Sequence, residues 1–261
     1  MTKIVALTLF ILIHSTAFCV EPMYKTVLLI SIDALHPDAV SPENCPNIHA
    51  LALKGAYSPL ALSSEPPKTL IAHTSMLTGL TPAMNGKTDN NWTTGDETVK
   101  ADTIFRFAKN KGYKTLSIYS KKKLGYLNNG HVDSNIYAGD NAVEKAVSML
   151  DKAQQQFIFL HISGLDYVGP EYGWMSGEYI EELAFIDEEL GGLFKKALSG
   201  SSALVIVTSD HAGHEKIHGS DHPEDYKRPL IVYSSKEKIA DIPEDALKIE
   251  SLRGYAEALI K

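Results

Sequence analysis

Within one short stretch the chain gathers Asp210, His211, His214, His218, Asp221 and His222, which puts four of its ten histidines close together. Mixed imidazole and carboxylate donors suit zinc, and less selectively manganese or iron. His214-Glu215-Lys216-Ile217-His218 also matches the H-E-x-x-H pattern of zinc peptidases, whose chemistry needs both histidines on one helical face. Gly213 before it, Gly219 after it and the polar run to Pro223 argue against that helix, so the segment reads as a ligand-bearing loop. A second constellation, Pro66-Pro67-Lys68-Thr69-Leu70-Ile71-Ala72-His73, sets the Thr69 hydroxyl at the start of a helix behind an extended Pro-Pro segment. A helix amino end offers free backbone N–H groups and a field that favours anions, so a phosphoryl group can dock where that hydroxyl attacks. Taken alone, a threonine there is more often an N-cap; the metal-ligand cluster elsewhere shifts the reading towards a nucleophile.

The elements that must position these groups follow from hydrophobic patterning. Residues 25–32, 113–120, 157–163, 203–209 and 229–234 are rich in Val, Ile or Leu, as strands buried on both faces require. Residues 46–54, 69–78, 102–111, 142–154 and 176–198 space their apolar positions as helices do, several opening on Asp, Ser, Thr or Pro. Gly112 and Gly200 stand where helices would end. Strands alternating with helices predict a three-layer α/β/α sandwich with a mostly parallel central sheet. Asp33, Asp166 and Asp210 with His211 then fall at the carboxyl ends of strands, the edge where open α/β sheets bind ligands. Three carboxylates facing one crevice repel one another unless a cation sits among them, a second reason to expect a metal.

A chain of 261 residues with 44% hydrophobic and 22% charged content has enough apolar side chains for a sizeable core, which excludes disorder as its main state. Residues 1–20 read as a secretory signal: Lys3 is a short basic start, 4–13 an apolar stretch too short to span a bilayer, and small residues surround Ala17. Removal of residues 1–19 is expected, leaving 20–261 as one domain without repeat or linker, secreted or periplasmic and with no transmembrane span. Lipidation at Cys19 is disfavoured by the bulk of Phe18. Only Cys45 then remains, so no intrachain disulfide is expected. A net charge of −7 with scattered lysines disfavours binding to nucleic-acid duplexes, and the one basic run, Lys121 to Lys123, reads as a solvated loop after a strand.

Several segments together carry a resemblance: Leu28-Leu29-Ile30-Ser31-Ile32-Asp33; Lys68-Thr69 followed by His73-Thr74-Ser75-Met76-Leu77-Thr78-Gly79-Leu80; the Asp166-led segment with Gly173-Trp174-Met175-Ser176; Thr208 to His214; and His218 to Asp225. They resemble the type I phosphodiesterase and nucleotide pyrophosphatase branch of the alkaline phosphatase superfamily, over most of the chain. The resemblance implies an alkaline phosphatase-like fold and a pair of Zn2+ ions, one held by Asp33, Thr69, Asp210 and His211. That ion would lower the pKa of the Thr69 hydroxyl, whose alkoxide would attack phosphorus in line, and water activated at the other ion would hydrolyse the phospho-threonine. The other ion would take Asp166 and His218. The family's histidine four positions after Asp166 is Pro170 here, leaving two protein ligands where three are usual: either His214, Glu171 or His222 completes the set, or the protein works with one firmly bound metal, or turnover is lost. Ala72 and Asn85 also depart from the family's asparagine and histidine. Asn90 matches the asparagine that holds phosphate oxygens, and Lys68 is a basic residue that either holds the extra charge of a substrate phosphate or only faces solvent.

The resemblance thus implies an exported metal-dependent hydrolase of phosphodiester or pyrophosphate bonds in a small-molecule phosphate ester, with nucleotides among the candidate substrates. Phosphomonoesters are the nearest alternative, and phosphonates stay open. A sulfatase is disfavoured because Cys45-Pro46-Asn47 lacks the downstream arginine of the modified-cysteine motif. Pro170 and Ala72 motivate a reading from another class, a catalytically impaired protein that binds metal or phosphate. Tyr167, Tyr172 and Trp174 flank the Asp166 loop, where they either stack on a base or aryl group or pack the loop against the sheet.

Overall fold

Strands whose side chains are buried on both faces must be covered from both sides, and helices do this here. The structure, a computed structural model, describes residues 23–200 and 202–260; the secretory signal and Cys19 lie outside the described residues. In chain order the elements are β1 (Thr26–Ile32), α1 (Pro46–Lys54), β2 (Ala56–Leu62), α2 (Thr69–Thr78), one-turn α3 (Pro82–Asn85), α4 (Ile104–Asn110), β3 (Lys114–Tyr119), β4 (Ser134–Tyr137), α5 (Ala142–Met149), β5 (Gln156–Ile162), α6 (Gly164–Tyr172), α7 (Gly177–Leu198), β6 (Ala203–Thr208), one-turn α8 (Pro223–Tyr226), β7 (Lys227–Ser234) and α9 (Leu252–Ile260). The seven strands form one sheet in the order β2-β7-β6-β1-β5-β3-β4. All neighbours pair in parallel except β7, which runs antiparallel to both β6 and β2. Among the described residues no helix is long and apolar enough to cross a membrane.

The period-two alternation of the strands divides the core in two. Leu28, Ile30, Ile158, Leu160, Val205 and Val207 enter one cluster with side chains of α1, α5 and α7. Val27, Leu29, Phe157, Phe159, Leu204 and Ile206 enter the other with side chains of α2, α4 and α9. This is the expected three-layer α/β/α sandwich with a mostly parallel central sheet.

The five expected strands are all present, and the two unexpected ones are the sheet edges. β2 mixes buried and exposed positions, contains Pro59 and shifts register between Ser58 and Ala61; β4 has four residues that alternate between partly buried and exposed. Neither carries the continuous apolar run of a doubly covered strand. The helix expected over 142–154 ends at Met149, because Leu150 turns extended and the Gln156 side chain accepts a hydrogen bond from the Asp151 N–H at 2.6 Å.

Candidate active site

Parallel pairing sets the ends of four central strands level. Ser31 of β1 pairs with His161 of β5 and Thr208 of β6, and Tyr119 of β3 pairs with His161 as well. Two residues beyond that line lie Asp33, Asp210 and Lys121, and Asp166 enters from the first turn of α6. Sheet register therefore brings residues from three distant stretches to one edge, and α6 adds the fourth.

Asp33 is fully buried. Its Oδ2 accepts from His161 Nε2 at 3.0 Å and pairs with Lys121 Nζ at 2.6 Å. The Ser120 N–H donates to His161 Nδ1 at 3.4 Å, which makes Nε2 the protonated nitrogen of a neutral ring. Burial works against the Asp33 charge, but the Lys121 ammonium, the His161 N–H and His211 outweigh it and hold this carboxyl well below the usual carboxylate range. Ala34, immediately after, sits in the left-handed region at φ 65. An L-residue there is disfavoured by about 1–2 kcal/mol. Hydrogen bonds over-determine the turn: the Ala34 carbonyl accepts from Tyr179 Oη at 2.7 Å and Trp174 Nε1 at 3.3 Å, and its N–H donates to Asp210 Oδ1 at 3.3 Å.

His211 is the hub. Its Nδ1 donates to the Ala212 carbonyl at 2.9 Å, leaving Nε2 as the lone-pair nitrogen. That atom lies 3.4 Å from Asp33 Oδ1, 3.4 Å from Asp210 Oδ2 and 3.7 Å from Asp166 Oδ1. His218 Nε2 is 3.4 Å from Asp166 Oδ1, and the His218 ring stacks on that of His211 at 5.1 Å. Burial and the nearby Asp33 charge push the Asp210 carboxyl up. Asp33 Oδ1, Asp166 Oδ1, Asp210 Oδ2 and His211 Nε2 are buried without a hydrogen-bond partner. Orphaned buried acceptors cost about 1–3 kcal/mol each, so four gathered at one strand edge ask for a cation. The 3.4 Å between His211 Nε2 and each of Asp33 Oδ1 and Asp210 Oδ2 fits one: ligands about 2.0–2.1 Å from a tetrahedral zinc stand roughly 3.4 Å apart. The donor atoms form two groups, Asp33-Asp210-His211 and Asp166-His211-His218, each within 4.8 Å internally and both using His211.

Thr69 opens α2 and is 3% exposed, with its Oγ1 3.2 Å from Lys121 Nζ. His73 anchors the turn beneath it: Nδ1 donates to the Thr69 carbonyl at 2.7 Å and Nε2 accepts from the Ser31 hydroxyl at 2.8 Å. Burial pushes His73 down to about 4, so the ring is neutral. Asn90 Oδ1 accepts the Leu70 N–H at 2.8 Å, so one donor that the sequence reading leaves open for an anion is already taken. Lys68 is exposed and its stem lies against Gly219, at the rim.

Thr69, Asp33, Asp166, Asp210, His211 and His218 thus lie together, with Asn90 at the α2 start. Three expectations are corrected. Lys121 is not on a solvated loop: it is 8% exposed and forms ion pairs with Asp33 and Asp166. The histidine-rich stretch is not one cluster, because His214 Nδ1 pairs with Asp225 Oδ1 at 2.7 Å and stacks on His222, while Asp221 faces solvent. Neither His214, His222 nor Glu171 belongs to the Asp166 group. Asp166 lies on a helix, α6, and Pro170 stands four positions after it on the same helix. As the sequence reading holds, H-E-x-x-H forms no helix; His214 and Ile217 exchange backbone hydrogen bonds at 2.9 and 2.8 Å. Trp174 packs between Gly169 and Gly213, and Tyr167 and Tyr172 are exposed. Lys121 and His161 escape the sequence reading. A lone imidazole within the apolar β5 run is the one trace of His161.

Known proteins share the family pattern and the fold. The sequence pattern of the type I phosphodiesterase / nucleotide pyrophosphatase family matches residues 27–249. The GPI ethanolamine phosphate transferase 1 of Neurospora crassa is 33% identical over 81 residues, which is 30% of this chain and 8% of that much longer protein. Among solved structures, a 2-O GAG sulfatase superposes with a TM-score of 0.71 at 12% identity, covering 92% of this chain and 71% of that one. The C-terminal periplasmic domain of EptC from Escherichia coli, in complex with Zn, superposes with a TM-score of 0.62 at 15% identity, covering 91% and 82%. These superpositions establish the shared fold, and the match over 27–249 establishes the kinship: the chain belongs to the type I phosphodiesterase / nucleotide pyrophosphatase family.

Proposed function

We propose that this chain hydrolyses small-molecule phosphodiesters or pyrophosphates with the Thr69 hydroxyl as nucleophile. The observation that carries the reading is the meeting of Thr69 Oγ1, the Lys121 ammonium and four unpartnered donor atoms at one strand edge. Asp33, Asp210 and His211 would hold a divalent cation, zinc by the character of its donors, which when bound supplies positive charge that favours the ionised hydroxyl. Lys121 donates to Thr69 Oγ1 at 3.2 Å and fixes its direction. His73 holds the Thr69 carbonyl and with it the first turn of α2. Asn90, with Oδ1 engaged by Leu70, keeps its amide N–H groups for a phosphoryl oxygen, and Lys68 at the rim meets the outer part of the ester. Attack by Oγ1 forms the threonine–phosphorus bond as the ester oxygen leaves with its electron pair; water then cleaves that bond and restores the hydroxyl.

A second reading, transfer of the phosphoryl group to an alcohol in place of water, is favoured by the 81-residue similarity to GPI ethanolamine phosphate transferase 1. Both share the first half-reaction. Thr69→Ala is expected to abolish release of nitrophenol from bis(p-nitrophenyl) phosphate while bound zinc persists; unchanged hydrolysis by that variant refutes the nucleophile. Product analysis in the presence of ethanolamine separates transfer from hydrolysis.

A further inference from the structure

We propose that Lys121 takes the place of a second metal ion, so that the centre works with one divalent cation and one fixed ammonium. The inference rests on the metal-dependent reading above and says how many ions it uses. His211 Nε2 offers a single lone pair, yet both donor groups depend on it. Once Asp33, Asp210 and His211 are joined on one ion, the other group keeps only Asp166 and His218. Pro170, on the α6 face where a residue four after Asp166 would help, has no donor atom. Two protein ligands are one short of the three that an open zinc site uses.

Lys121 occupies the gap. Its Nζ bonds Asp33 Oδ2 at 2.6 Å, pairs with Asp166 Oδ2 and stands 3.2 Å from Thr69 Oγ1, bridging the carboxylates of both groups. It uses the Oδ2 atoms and leaves the Oδ1 atoms of Asp33 and Asp166 unpartnered. Charge balance agrees: one dication and one ammonium neutralise Asp33, Asp166 and Asp210, whereas a second dication would leave a buried excess of positive charge. A lysine cannot dissociate as a metal can, so such a centre keeps half of its cationic apparatus when chelated.

The test is a zinc count on the full chain after equilibration with excess zinc and gel filtration, read by elemental analysis, with circular dichroism as the check of folding. One zinc per chain is expected for the wild type and for Pro170→His, because the ammonium still excludes a second ion, and two for Pro170→His combined with Lys121→Ala. Two in the wild type or in Pro170→His overturns the proposal, as does one in the folded double variant. Anomalous scattering at the zinc edge from wild-type crystals gives an answer that needs no variant: a single peak beside Asp210 and His211 supports it, and a second beside His218 overturns it. These counts are independent of turnover. A wild type with two zinc ions and an inactive Thr69→Ala variant would sink this inference alone, whereas a chain that binds no zinc would sink the metal-dependent reading beneath it.

Discussion

Replacing His161 by phenylalanine isolates how the protein aims its principal carboxylate. The ring keeps its place in β5, edge-on to His73 at 4.9 Å, but the N–H that holds Asp33 Oδ2 at 3.0 Å and the acceptor for the Ser120 N–H are both removed. A hydrogen bond to a charged group contributes about 1.5–3 kcal/mol, and about 1.4 kcal/mol is tenfold in an equilibrium constant. Zinc affinity is therefore expected to fall roughly 10- to 100-fold, the range typical when a group that orients a metal ligand is lost. Competition against a chromophoric chelator measures it, and urea unfolding of the metal-free variant shows how much of the change is lost stability. Glutamine at the same position restores an N–H donor and should recover part of the affinity. If folded His161→Phe protein binds zinc within twofold of wild type, Asp33 is aimed by its backbone and Lys121 alone, and the role given to His161 is wrong.

Three further outcomes follow from other buried groups. Tyr179→Phe removes a buried hydroxyl that donates to the Ala34 carbonyl and accepts the His36 N–H at 3.0 Å; it should lower stability by about 1–3 kcal/mol, read as a shifted urea midpoint at unchanged slope. Burial pushes the Cys45 thiol up to about 12, so the native chain should resist iodoacetamide at pH 8 and react in urea. The sign for stability is negative with rising pH: above about pH 8.5 the unfolded thiol sheds its proton while the native one keeps it, so the wild type should lose stability on a slope that Cys45→Ala lacks.

The central strands are legible because a strand covered on both sides must be largely apolar, and α2 because its apolar positions recur at helical spacing even though half of its buried residues are polar. β2 and β4 are not, since an edge strand needs only half its residues inside. α6 hides behind Gly164, Gly169 and Pro170, all poor helix formers in isolation; at Gly169 a Cβ would stand 2.9 Å from the Trp174 ring, so packing overrides propensity. The metal-ligand candidates show because three carboxylates at strand ends would repel one another without a cation and several histidines stand close by in sequence. Lys121 does not show, because its burial depends on Asp33 and Asp166, each far away in sequence. Within a run of three lysines it has the composition of a solvated loop, and only the level ends of β3 and β1 reveal that it stands beside Asp33.

The stretch from Asp166 to Tyr179 is tied down at three points. Asp166 faces the cation donors, Trp174 and Tyr179 grip the carbonyl next to Asp33, and the Trp174 N–H holds the Glu215 carbonyl of the turn that leads to His218 at 2.7 Å. Surface connections ordinarily absorb inserted residues with little penalty. This one behaves as a calliper of fixed span, in which one added residue would set the two sides of the centre out of step with each other. Natural variation in length should accordingly collect at the outer sheet edges, around β2 and β4, and bypass this hairpin.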